Sequence, residues 1–183
     1  MSPKDPHGLS GRTPSDQARR DWTLPPGEGI VRGMDLGYLD RNDPDERHFL
    51  ILAEHPELIE AIENDADEIV LEGVVMSPRL HITMHEVVAN QLWDNDPPQA
   101  WETAVRLREL GYPRHEILHM LGSVLAEEIW NMTMGRQVFD RTRFVEALAA
   151  LPGSWERERP SRRATSRRPG QKAQARRRGK RRK

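Results

Sequence analysis

Four of the seven histidines form two pairs at i, i+4 spacing, His81 with His85 and His115 with His119, each inside a stretch whose apolar residues repeat with a helical period. A helix puts such a pair on one face, where both imidazoles can reach one metal ion. From Pro78 to Trp93, Leu80, Met84, Val87, Val88 and Leu92 make an apolar face, and at about 100° per residue His81 and His85 fall within it while Thr83, Glu86 and Asn90 lie opposite. From Pro113 to Trp130, Ile117, Leu118, Leu121, Val124, Leu125 and Ile129 make the core face, with His115, His119, Gly122 and Ala126 in a stripe along its edge. The small residues of that stripe predict the close approach of a neighbouring helix. Four inward-facing imidazoles must each satisfy a donor and an acceptor, which is costly without a metal.

The remaining signals predict the helices that would bring the pairs together. Asp43-Pro44-Asp45-Glu46 offers a cap, a first-turn proline and both halves of a capping box ahead of Phe49, Leu50 and Leu52. His55-Pro56 interrupts that helix, and Pro56 opens another through Leu58, Ile59 and Ile62. The run from Ile69 to Val75 reads as a short extended piece folding back at Gly73. Ser77 caps the helix from Pro78. Asp96-Pro97-Pro98-Gln99 stops it and caps the next, which runs through Trp101, Ala104, Val105 and Leu107 to Gly111. Asp140 caps a last helix through Phe144, Val145 and Leu148, ended by Pro152-Gly153. The fold class is therefore all-α, a small helical bundle. Short connections make neighbours antiparallel, so the helices from Pro78 and Pro113 start at the same end, with the two histidine pairs at nearly the same height.

The ends differ in composition. Residues 1–32 hold almost nothing apolar and are expected to be a flexible N-terminal arm, with Trp22 loosely packed. The helical domain is expected over 40–152, and a disordered basic tail over 153–183. The net charge of −1 conceals an opposition: residues 157–183 hold fourteen of the 28 Lys+Arg and one of the 29 Asp+Glu, about +13, against −14 for the rest. Arg176, Arg177, Arg178, Lys180, Arg181, Arg182 and Lys183 are candidate contacts to nucleic acid, or else a solubilising segment that neutralises the acidic body. No apolar run suggests a membrane span and no signal-peptide core is present, so a cytoplasmic location is expected.

With no cysteine in the chain, any metal must be held by nitrogen and oxygen. His81, His85, His115 and His119 are the candidate ligands of a divalent ion, zinc favoured and iron or manganese possible. His55, at a helix junction, is a candidate further ligand; His7 and His48 read as bystanders. His115-Glu116-x-x-His119 is also the H-E-x-x-H pattern of zinc hydrolases, which makes Glu116 a candidate general base, although a first-turn carboxylate is favoured by the helix dipole without chemistry. Gly122 extends the match to H-E-x-x-H-x-x-G, but Leu125 occupies the place where a metzincin carries its next ligand, which argues against a protease. Glu128 falls on the apolar side and is expected to be a buried acceptor. Two alternatives stand beside metal binding: a nucleic-acid-associated protein with a structural histidine cluster, and a metal-dependent hydrolase using Glu116.

His55-Pro56-Glu57, then Pro78-x-Leu80-His81-x-x-x-His85 with Gln91, then His115-Glu116-x-x-His119 and Glu127-x-x-Trp130, resemble the uncharacterised bacterial domain-of-unknown-function family 1841 (DUF1841) over about residues 43–131. The resemblance implies a small helical, cytosolic protein that shares the histidine pairs and has no assigned activity. Ser77 stands where members carry Asn, and Ile59 where some carry a second histidine, so a ligand at that position is absent here.

Overall fold

The computed structural model describes residues 14–71, 73–135 and 137–158. In chain order these form α1 (Pro14–Thr23), a hairpin of β1 (Ile30–Val31) and β2 (Met34–Asp35), a 3-10 turn Leu36–Tyr38, α2 (Pro44–Ala53), α3 (Pro56–Glu63), a second hairpin of β3 (Ile69–Leu71) and β4 (Val74–Met76), α4 (Pro78–Asp94), α5 (Pro98–Glu109), α6 (Arg114–Thr133), α7 (Arg141–Ala149) and α8 (Gly153–Glu158). The fold is a helical bundle, as expected.

Prolines and acidic or hydroxyl caps set most of the starts. Asp43 accepts from the Asp45 amide, Ser77 from Leu80, and Asp140 from Thr142 and Arg143. The capping box predicted at Asp43 does not close, because Glu46 reaches past it to the Asp40 amide at 2.5 Å. Asp96 caps nothing either: Asn95 ends α4 in the left-handed conformation, Pro97 precedes α5 without a side-chain cap, and Asp96 pairs with Arg141 at 3.1 Å. The fold-back at Gly73 is real. Ile69 pairs with Met76 and Leu71 with Val74, with Gly73 at φ +83° in the turn.

Two apolar clusters share α4. Val88 and Leu92 face α5, α6 and α7 through Ala104, Leu107, Ile117, Leu121, Phe144 and Leu148. Ile82, Ala89 and Trp93 face α2 and α3 through Leu50, Leu52 and Leu58. The helix predicted from Pro78 is thus central, and its neighbour α6 packs on it as the antiparallel path through α5 requires.

The ends depart from expectation. Of the predicted arm, residues 1–13 lie outside the described residues, but 14–32 belong to the body. Arg19, almost fully buried, donates to the last carbonyls of α4, from Nε to Leu92 O at 2.8 Å and from Nη2 to Trp93 O at 3.0 Å. Trp22 meets Trp101 edge-on at 5.5 Å, and Leu24 is buried. Guanidinium groups docked on carbonyls do this anchoring, which is why a low apolar content misled. At the other end the tail does not begin at 153: α8 follows there, Trp155 enters the core, and Tyr112 donates to Glu156 at 2.6 Å. Residues 159–183, with every basic residue proposed for nucleic acid, lie outside the described residues.

Glu128 is the buried acceptor expected. It receives the Asp140 amide at 3.1 Å and Arg143 Nε and Nη2 at 2.9 and 2.5 Å, tying α6 to the start of α7. The Arg143 hydrogen bonds hold its carboxyl below the ordinary value of 4.5. A depressed folded pKa gives stability that is present above the unfolded value and lost as pH falls through the folded one. Glu128→Gln is expected to lower the melting temperature at pH 7 and to flatten its fall below about pH 4.5, as followed by circular dichroism. Equal acid sensitivity of the two proteins would show that this pair does not couple folding to pH.

Candidate metal centre

The site is assembled by three helices. On α4, His81 and His85 are one turn apart on the side turned to α6, because the same arc carries Val88 and Leu92 into the core. On α6, His115 and His119 are one turn apart near the N-terminus. The parallel course of the two helices places the pairs together, with the His81 and His119 rings 5.2 Å apart and those of His85 and His119 4.8 Å apart. The close approach predicted at the small stripe is an ordinary contact: a Cβ added at Gly122 would find Val88 at 4.0 Å.

His55 completes the cluster to a degree its sequence position only suggested. As the residue before α3, it lacks a side-chain cap bond and turns inward, 1 % exposed, with its ring 4.8 Å from His81, 4.5 Å from His85 and 5.0 Å from His115. Two groups of ligand atoms result, His55/His85/His115 and His81/His85/His119, each with its atoms within 4.8 Å of one another and with His85 common to both. His55 Nδ1 lies 3.4 Å from a Glu57 carboxylate oxygen, whereas its Nε2 is buried without a hydrogen-bond partner.

Burial, then the neighbouring imidazoles, push His55 down to about 3 and His85 to about 2, and burial lowers His81 as well. His55, His81 and His85 are therefore neutral at pH 7, each with a lone pair to offer. A cavity of about 780 Å³ opens onto it, lined by His81, His85, His115 and His119, by the carboxylates Glu57 and Glu68, and by apolar walls from β3, β4, α4, α6 and Trp155.

Glu116, the candidate base, is partly buried and does not line this cavity. On the helix it is offset by about 100° from His115 and about 60° from His119, which moves it to the flank of the histidine face. The carboxylates at the cavity are Glu57 and Glu68, which sequence reasoning did not propose; for Glu57 the signal was its place two residues after His55. His48 is outside the cluster, paired with Glu86, whose hydrogen bond raises the His48 pKa. His7 lies outside the described residues.

A helical bundle enclosing five converging imidazoles, with no helix among the described residues long and apolar enough to cross a membrane, is a protein built around a polyhistidine site. The sequence model of a domain of unknown function (DUF1841) matches residues 42–150, and the chain belongs to that family. The matched span holds all five histidines and omits α1, the first hairpin and α8. Comparison with curated proteins and with solved structures found no match.

Proposed function

We propose that this protein binds a divalent metal ion through His81, His85, His115 and His119, with His55 as a further ligand. The observation that carries the reading is the His55 ring. A carboxylate at Nδ1 favours the tautomer protonated there, which leaves the Nε2 lone pair buried, aimed among other imidazoles and unpartnered. A buried polar atom without a partner is destabilising, and an ion removes the penalty for the whole cluster at once. Zinc, iron and manganese all accept imidazole nitrogen.

Metal analysis of protein purified without a histidine tag tests this directly. The expected result is bound metal in stoichiometric amount; protein that contains none and gains none on addition contradicts the reading. Glu57→Gln is expected to weaken metal affinity by about 10–100-fold, as losing the carboxylate behind a histidine ligand does. Glu116→Gln is expected to leave metal content intact. Metal loss in Glu116→Gln and none in Glu57→Gln would reverse these assignments. The metal-dependent hydrolase using Glu116 is the weaker reading, since Glu116 flanks the cavity instead of lining it.

The separate proposal for residues 176–183 is electrostatic: a segment this basic binds DNA or RNA without sequence preference. The full chain is expected to bind a mixed-sequence duplex with an affinity that falls steeply with salt, and a chain ending at Glu158 to lose that binding. Equal binding by both would acquit the tail.

A further inference from the structure

The histidine cluster straddles a seam. α2 and α3 pack on one side of α4 through Leu50, Leu52 and Leu58, and α6 packs on the other through Ile117 and Leu121, in two different apolar clusters. His55 comes from the first side and His115 from the second, yet their rings are 5.0 Å apart and both belong to one group of close ligand atoms with His85. Apolar packing thus relates these two rings to each other only through α4.

A direct bond across the seam lies one residue away from each of them. Glu54, immediately before His55, accepts from Nη1 of Arg114, immediately before His115, at 2.5 Å. The two side chains are only 20 % and 22 % exposed, so solvent screens the pair less than it would at the surface. Two more bonds fix the guanidinium: Nε donates to Trp22 O and Nη2 to Thr23 O, both at 2.7 Å, so Arg114 cannot swing away from Glu54 without giving up both carbonyls of α1. All three nitrogens are committed, and the planar fork holds its direction. His55, between α2 and α3 with no side-chain cap bond of its own, depends on what holds its neighbour.

We propose that Arg114 and Glu54 are positioning residues of the metal centre: their ion pair, locked by α1, keeps His55 and His115 close enough to share an ion. This rests on the metal-binding reading above and gives α1, which the family match leaves out, a part in that site.

Zinc affinity of the untagged full chain, measured by competition with a chromophoric chelator at a temperature where every variant is fully folded, separates positioning from stability. Under that condition the dissociation constant does not depend on the distance to the melting midpoint. Glu54→Ala leaves Arg114 its bonds to Trp22 and Thr23, so the fold is kept while the link across the seam is lost, and zinc affinity is expected to fall roughly tenfold. Arg114→Ala should weaken it about as much, and the double variant little more, since both break one link. Glu54→Gln keeps an acceptor for Nη1 and should recover most of the affinity. Glu128→Gln, which loosens α6 from α7 toward the other end of the helix, should lower the melting temperature and bind zinc as the wild type does. Wild-type affinity in Glu54→Ala, an equal loss in Glu54→Gln, or an equal loss in Glu128→Gln would each overturn the positioning role while leaving metal binding intact. No zinc bound by the wild type would overturn the metal reading itself.

Discussion

His85→Ala is expected to abolish the change in melting temperature that a chelator or added metal produces in the wild-type protein. His85 belongs to both groups of close ligand atoms and its ring touches the other four, so no set of three mutually close donors survives its loss. Metal at a hundred times its dissociation constant stabilises a fold by about 2.7 kcal/mol, which in a chain of this size moves the midpoint by roughly 5–10 °C. Calorimetry of untagged protein with chelator and with added zinc, iron(II) or manganese should show that shift in the wild type and a flat response in His85→Ala. The His85→Ala/His119→Ala double variant should remove little more, since both changes break one site and their effects do not add. A shift that persists in His85→Ala would place the ion elsewhere.

A chain starting at residue 40 is expected to be markedly less stable than one starting at residue 14, the opposite of what composition alone implied. Arg114, at the first position of α6, donates from Nε to Trp22 O and from Nη2 to Thr23 O, both at 2.7 Å, and pairs with Glu54 at 2.5 Å. Removing residues 14–39 takes away both carbonyls, the Arg19 bonds to the end of α4 and the burial of Leu24. Charge-assisted hydrogen bonds and a buried leucine together contribute about 4 kcal/mol, or roughly 8–16 °C in melting temperature. Equal midpoints for the two chains would mean that α1 rests on the surface without stabilising it.

These two cases show where sequence reading succeeds. His81 and His85 were legible because a helical period fixes which side of α4 they occupy, and Val88 and Leu92 declare that side to be the core. The up-down-up path then set the height of His115 and His119. His55 was only half legible: a residue between two helices has no period to fix its direction, and the junction that turns it inward is a property of how α2 and α3 pack on α4. α1 escaped notice for a related reason. Its attachment runs through Arg19 and Arg114 to backbone carbonyls, and carbonyls leave no trace in side-chain pattern. Glu57 and Glu68 could not be placed at the cavity before the β3–β4 hairpin was known to form part of its wall.

The sharing of α4 between two apolar clusters bears on how the molecule comes apart. His55 precedes α3 on one side of that helix, and His115 and His119 stand on α6 on the other, so an ion bound by all of them rivets the two halves across their seam. Without an ion, α2–α3 and α5–α7 are expected to open as separate cooperative units; if the proposed ion is bound, opening either half would mean breaking its coordination. Native-state hydrogen exchange would then report two distinct opening free energies for the metal-free protein and a single merged one for the loaded protein.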